Sequence, residues 1–324
     1  MITRKTVLVL GAGASADYGF PVGNVLKENI VGLDLADPKD GSREHCLRTA
    51  ICSRGHDVEE FKNFQAALRM SGQPSVDSFL ERRQEFMSVG LLAIASCLAP
   101  CEQTDRLFPK QGRDPGWYQM LFSALGWSSL KAGLGGLALS NLTIVTFNYD
   151  RSLEHYLATA LSHSYNVPRH ECAAKLLQAA PVHHVYGMLG GYPVNPRVGR
   201  EYTEQLLDPA DIQQAAGGIS IVHEGSWNDE AFSLARDALR EAEVVCFLGF
   251  GYAEINLERL TRRKVVGGVP KRVMTDGHCE VFGTALRLGG TEKKRVMAFF
   301  GSEITLGAEK IGSKEFLREH PVFA

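Results

Sequence analysis

The chain lacks three features that would place it at once: a paired-cysteine metal motif, a surplus of either charge, and a hydrophobic run of membrane length. Its cysteines, at positions 46, 52, 97, 101, 172, 246 and 279, include no Cys-x-x-Cys pair. A zinc ribbon needs two such close pairs. The thiols therefore read as reduced and mostly buried, with Cys97 and Cys101 on one face of an apolar segment. Lys plus Arg number 35 against 37 Asp plus Glu, a formal charge of -2. That balance gives no support for direct, non-specific nucleic-acid binding. One local basic cluster, Arg262, Arg263, Lys264, Lys271 and Arg272, reads as a solvated helix end. No run approaches the ~20 apolar residues of a membrane helix, so no membrane contact is expected. Arg4 and Lys5 precede Val7–Leu10, and Ala14-Ser15-Ala16 imitates a cleavage site. The apolar run stops at Gly11, short of the ~7–15 residues of a signal core. It reads as a strand, and the protein as cytoplasmic. The histidines suggest no metal. His45, His56, His163 and His170 read as lacking carboxylate or cysteine partners at ligand spacing, and the adjacent His183 and His184 would face opposite sides of a strand.

What the chain does have is apolar content and alternation. Its 324 residues, 44% hydrophobic and 22% charged, suffice for one large α/β domain or two small ones. Residues 6–10 fit a buried parallel strand. Residues 14–19 can start a helix that Gly19-Phe20-Pro21 stops. A second helix is expected over 24–31, and polar 33–42 reads as a loop. Residues 43–135 read as mostly helical: Phe61, Phe64, Ala67 and Leu68 recur at helical spacing. Ser75 or Asp77 can cap a long helix through Phe79, Phe86, Val89 and Ile94. Trp117, Leu121, Leu125 and Leu130 suggest another. Strand signals return at 142–147, 182–186, 219–222, 244–248 and 303–306. Helices are expected after Asp150, over 229–242, from near Ala253 and over 293–300. Residues 188–211, with Gly, Pro and Tyr, read as a mobile loop. Strands alternating with helices imply a doubly wound, mostly parallel, Rossmann-like sheet. The expected organisation is an α/β domain from residues 1–42 and 136–324, interrupted by a helical insertion at 43–135.

Directly after the first strand comes Gly11-Ala12-Gly13-Ala14-Ser15-Ala16, which matches the dinucleotide pattern G-x-G-x-x-G/A. Glycines let a backbone turn tightly and approach a pyrophosphate, whose charge then meets free N–H groups at a helix start. Ser15 adds a hydroxyl. A hydride-transfer enzyme needs a second strand ending in an acidic residue ~20 residues later. Pro21 and the strandless stretch 33–42 do not provide it.

These residues resemble the sirtuin family. Gly11-Ala12-Gly13-Ala14-Ser15 with Gly19-Phe20-Pro21 is similar to its G-A-G-x-S and G-[IF]-P signature. Thr146-Phe147-Asn148-Tyr149-Asp150 resembles its T-Q-N-I-D segment, and Gly249-Phe250-Gly251 with Asn256 resembles its ribose-holding segment. The blocks occur in the family's order across residues 7–256. The missing four-cysteine zinc module and Phe147 in place of Gln are similar to the bacterial sirtuin-like group, not to the deacylases. Residues 76–80, VDSFL, and Phe282-Gly283-Thr284-Ala285 resemble that group's acidic helical segment and its tail. The resemblance implies a sirtuin-like fold with no metal. It implies NAD as a substrate broken to nicotinamide and ADP-ribose, typically in abortive-infection defence against phage. It implies that Gly11, Ala12, Gly13, Ser15, Phe20, Pro21, Thr146, Asn148, Gly249, Phe250, Gly251 and Asn256 hold NAD. Unregulated NAD loss is lethal, so control by homo-oligomerisation or by a defence-system partner protein is expected, with the helical insertion as its place.

Nicotinamide leaves a ribose carbon through an oxocarbenium-like state, as in glycoside hydrolysis. The protein must hold the ring, stabilise positive charge and place a water. Residue 148 follows a strand, and α/β sheets bind ligands at the carboxyl ends of strands. By resemblance, Asn148 orients the ribose and the attacking water, since an amide donates and accepts at once. Asp150 fixes neighbouring groups, caps the following helix, or does both. The base is open. The family places a His before a Gly at a strand end, and here Tyr186 precedes Gly187. His184, two residues upstream, would share Tyr186's face of the strand, and an imidazole suits base work at neutral pH. Tyr186 as a hydrogen-bonding substitute is the rival. Three functions follow: an NAD glycohydrolase; a non-catalytic NAD or ADP-ribose sensor regulating a partner; and a deacylase or ADP-ribosyltransferase. The missing zinc module opposes the deacylase.

Overall fold

The computed structural model describes residues 2–110, 114–126, 140–193, 199–206, 208–221, 230–266, 269–276, 278–300 and 304–324, without the side chains of 263–273. The strands are β1 (Thr6–Leu10), β2 (Leu142–Thr146), β3 (Val182–His184), β4 (Val244–Leu248), β5 (Arg262–Val266), β6 (Val269–Val273), β7 (Glu280–Gly283) and β8 (Ile304–Leu306). Six of them form one parallel sheet in the order β3-β2-β1-β4-β7-β8. Helices flank it, as in a Rossmann-like doubly wound fold. β1 and β4 are buried along their whole length, which explains why both read as unbroken apolar runs.

Strand order reverses between β1 and β4. Successive strands run outward from β1 on one side and from β4 on the other, which leaves a crevice at their carboxyl ends. The register makes this edge level: Leu10 is paired with both Thr146 and Leu248, and Thr146 with His184. The chain therefore leaves four neighbouring strands side by side, through Gly11, Phe147, Val185 and Gly249.

Several elements differ from expectation. The residues after β1 form two 3-10 turns, Ala12–Ala14 and Ala16–Tyr18, and the chain turns at Gly19 with φ 89° before the helix Gly23–Val31. β3 stops at His184, because the chain folds back at Gly187 (φ 70°), where a Cβ would lie 2.2 Å from the Gly218 carbonyl. Of the strand expected at 219–222, Ile219 makes only an isolated antiparallel bridge to Gly187, and Val222 lies outside the described residues. The long helix expected from Ser75 starts there, with the Ser75 hydroxyl accepting the Ser78 N–H, but breaks after Leu80 and resumes as Met87–Leu98. The break lets Leu80 lie against Gly90, where a Cβ would come within 2.7 Å of the leucine methyls. Leu130, Asp229 and Glu303, ends of expected elements, lie outside the described residues. The helix Arg169–Ala179 and strands β5, β6 and β7 were not anticipated.

The basic cluster is not a helix end. It lies on the antiparallel ribbon β5–β6, with Arg263 opposite Arg272 and Lys264 opposite Lys271. The stretch Gln84–Cys101 is, by length and composition, apolar enough to cross a membrane, contrary to the sequence reading. In the fold it is mostly buried, and Val89, Ala93, Ile94 and Ala95 are fully enclosed. The described residues of the segment 43–135 share one continuous hydrophobic core with the sheet. Trp117 and Tyr118, at the start of the helix Trp117–Ala124, reach the turn after β1. The Trp117 indole donates to the Ala14 carbonyl at 2.8 Å, and Tyr118 stacks on Tyr18 at 3.8 Å.

The expected mobile loop is largely tied down. Arg151, fully buried, forms a bidentate pair with Glu102 at 2.9 and 2.8 Å and donates to the carbonyls of Gly191, Arg200 and Glu201. Arg200 meets the same carboxylate. Residues 194–198 and 207 lie outside the described set.

Candidate functional site

Two glycine turns meet at the crevice. Gly11 donates to the Leu248 carbonyl at 3.0 Å and Gly13 to the Gly249 carbonyl at 2.9 Å. Gly249 has φ 57°, and a Cβ on it would sit 1.9 Å from the Ala14 nitrogen. The glycines of the turn are thus needed for backbone-to-backbone packing of two strand ends. Thr284 supports this contact: its hydroxyl accepts the Gly249 N–H at 2.8 Å, and its carbonyl accepts the Tyr252 hydroxyl at 2.9 Å.

Asn148 spans the floor of the site. Its amide nitrogen donates to the Gly11 carbonyl at 3.0 Å and to the Ser15 hydroxyl at 3.1 Å, and its backbone N–H bonds the Thr146 hydroxyl at 3.1 Å. A carbonyl oxygen only accepts, so the nitrogen must face Gly11 and the orientation of the amide is fixed. Its oxygen Oδ1 is buried and has no hydrogen-bond partner among the described residues. An unpaired buried amide oxygen costs about 1–3 kcal/mol.

Asp150 lies beside it, buried. Burial raises its pKa, against the Ser152 and Ser15 hydroxyls, which favour the charged form. It accepts the Ser152 N–H at 3.1 Å as well as the Ser152 hydroxyl, and so ties down the start of the helix Ser152–Tyr165. Below these groups is a narrow polar recess lined by Ser15, Thr146, Asn148, Asp150, Glu154 and His184.

His184 is engaged at both ring nitrogens. Nδ1 lies 3.0 Å from the Asn148 carbonyl and Nε2 lies 2.6 Å from the Glu154 carboxylate, with both side chains buried. Burial alone would lower its pKa; the Glu154 charge and hydrogen bond, with the Asn148 carbonyl, outweigh this and raise it. Two acceptors facing two nitrogens call for an imidazolium, which offers no lone pair to a water. In this arrangement His184 holds the 147–150 segment in place.

Tyr186 is not on His184's face, because β3 has ended before it. Its hydroxyl donates to Asn256 Oδ1 at 2.7 Å and receives Arg259, which pairs with Glu81 at 2.8 Å. Burial raises the phenol's pKa well beyond its ordinary range, although Arg259 opposes this. Its ring packs edge-on to Phe147 at 5.6 Å, and Phe147 meets Phe250 at 5.1 Å. Gly251 is exposed at the rim.

The sequence-predicted residues therefore fall into two groups with Phe147 between them. Ser15, Thr146, Asn148, Asp150 and His184 form one; Tyr186 and Asn256 form the other. A cleft of about 440 Å³, part of it open to solvent, is lined by Ala12, Phe20, Pro21, Gly23, Leu26, Asp77, Leu98, Phe147, Asn148, Tyr149 and Asp150. Gly11, Gly13 and Gly249 form the adjoining turns.

Asp77, Glu81, Glu154 and Arg259 were missed as site residues. Glu154 stands one helical turn from Asp150, and a carboxylate on the inward face of an apolar helix is the signal that could have found it. Asp77 was expected only as an alternative helix cap, a place Ser75 takes, and as part of the VDSFL resemblance; Arg259 left no signal. Two histidines also have partners the sequence reading did not give them: His56 meets Glu60 at 2.8 Å and His45 meets Asp40 at 3.3 Å. Among the described residues, no group of three or more His, Cys, Asp or Glu could hold a metal ion. Comparison of the chain with models of known protein families and with curated proteins finds no match.

Proposed function

We propose that the chain is an NAD glycohydrolase that releases nicotinamide and leaves ADP-ribose. The observation that carries this reading is Asn148 Oδ1, unpaired among the described residues and fixed just past the end of β2 in the switch-point crevice beside the Gly11–Ser15 turn. A ribose hydroxyl or an attacking water would supply the donor this oxygen lacks. Asp77 and Asp150 on the cleft wall suit a transition state that gathers positive charge. The resemblance of the sequence blocks adds abortive-infection defence against phage as the setting, with activity held in check by self-association or a partner protein.

A specific observation favours a second reading, an NAD or ADP-ribose sensor without turnover. Both side chains suited to act as base are occupied: His184 by Asn148 and Glu154, Tyr186 by Asn256 and Arg259. Incubation of the pure protein with NAD separates the two. Nicotinamide release that disappears in Asn148→Ala supports the hydrolase. Saturable NAD binding without release, at any protein concentration, supports the sensor. If Tyr186→Phe alone stops release, the phenol takes the base role.

A further inference from the structure

The cleft has a charge pattern that the glycine turn and Asn148 do not account for. Two carboxylates, Asp77 and Asp150, stand among its lining residues, with no lysine or arginine. Asp150 belongs to the Asn148 segment itself. Asp77 arrives from the helix Val76–Leu80, in the segment inserted between β1 and β2. It is held by the hydroxyl of Tyr149, the residue after Asn148. Burial raises its pKa, while the Tyr149 and Ser75 hydroxyls favour its charged form. The remaining wall is largely apolar, from Phe20, Pro21, Leu26, Leu98 and Phe147. Desolvation favours the neutral acid, whereas a cation beside the carboxyl favours its ionised form, and once ionised on an apolar wall the charge is poorly screened.

We infer that Asp77 sets the charge specificity of the cleft, acting as counter-charge to a cationic aromatic ring, so that oxidised nicotinamide is taken in preference to the neutral reduced ring. This rests on the NAD reading above. The oxidised and reduced dinucleotides share every group except the ring's charge, shape and C4 hydrogen. The glycine turn and Asn148 therefore offer little to tell them apart, whereas a negative charge on the ring's wall does. The same charge also faces the positive ribose that forms as the ring departs.

The test is binding of NAD+ and NADH to the whole chain and to Asp77→Asn and Asp77→Glu, followed by tryptophan fluorescence immediately after mixing, before measurable nicotinamide release. The wild type should favour NAD+ by about tenfold or more, the size a single poorly screened charge contact supports. Asp77→Asn should lower the ratio several-fold, with Asp150 still on the wall, and Asp77→Glu should restore most of it. A second arm needs no variant: 1-methylnicotinamide, a cation, should displace bound NAD+ better than neutral nicotinamide does. An unchanged ratio in a folded Asp77→Asn, or equal displacement by the two small rings, would overturn the role of Asp77 while leaving NAD binding in place. Failure of the wild type to bind either dinucleotide would overturn the NAD reading, and this inference with it.

Discussion

Replacing Asn148 by alanine should remove activity without removing stability. The side chain makes two hydrogen bonds through its nitrogen, to Gly11 O and Ser15 Oγ. Losing them costs about 1 kcal/mol each. Neither partner is left bare: the Gly11 carbonyl also accepts the Ala14 N–H, and the Ser15 hydroxyl faces Asp150. Against this loss, the substitution removes a buried oxygen that has no partner among the described residues, which relieves about 1–3 kcal/mol. The two contributions nearly cancel, so the urea-unfolding free energy should stay within about 1 kcal/mol of wild type. Nicotinamide release should nevertheless fall by about 100-fold or more, the usual effect of deleting one preorganised polar contact to a developing charge. Asn141→Ala is the control, because its amide nitrogen bonds the Thr3 carbonyl at 2.8 Å far from the cleft. It should cost about 1 kcal/mol and leave release unchanged. Destabilisation of Asn148→Ala by more than about 3 kcal/mol would show that Oδ1 is satisfied in the folded protein and is not left for a substrate.

Other substitutions probe the frame around this oxygen. Gly249→Ala adds a methyl 1.9 Å from the Ala14 nitrogen at a φ of 57°. It should destabilise by about 2–5 kcal/mol in urea titration, from left-handed strain plus overpacking. Arg151→Ala leaves the Glu102 carboxylate with Arg200 alone and frees three carbonyls, and should cost about 3–5 kcal/mol by the same measurement. The folded-state pKa of His184 lies above its unfolded value of 6.5, so the protonated pair with Glu154 contributes its full stability below about pH 6.5. That contribution should disappear as pH rises through the raised value. Urea midpoints measured across this range should show the decline in the wild type and not in Glu154→Gln; parallel curves would contradict the pairing.

The switch point shows how far a sequence can carry such an argument. β1 and β4 were readable because a strand covered on both faces must be apolar throughout. The place of Asn148 was readable because an apolar run ending near residue 147 marks a strand whose carboxyl end faces the crevice, while its choice among its neighbours came from the resemblance of Thr146-Phe147-Asn148-Tyr149-Asp150. β3 was overextended because a period-2 pattern cannot detect the clash at Gly187 that turns the chain. β5, β6 and β7 escaped because their pairing depends on long-range partners, which no local pattern records.

The sequence alone thus determined a glycine turn after a buried strand, a block of candidate residues after a second strand, and an alternating α/β chain. Only the tertiary structure decided which groups remain free to act. Strand register and order bring Gly11, Asn148 and Gly249 to one edge. Once there, the glycines are spent on packing two turns, His184 is closed off by Glu154, and Tyr186 by Arg259. Asp77 is delivered from a helix some 70 residues away in the chain, next to Tyr149. Hydrogen-bond satisfaction depends on every neighbour in space, so the unpaired oxygen of Asn148 could be recognised only after the chain had folded around it.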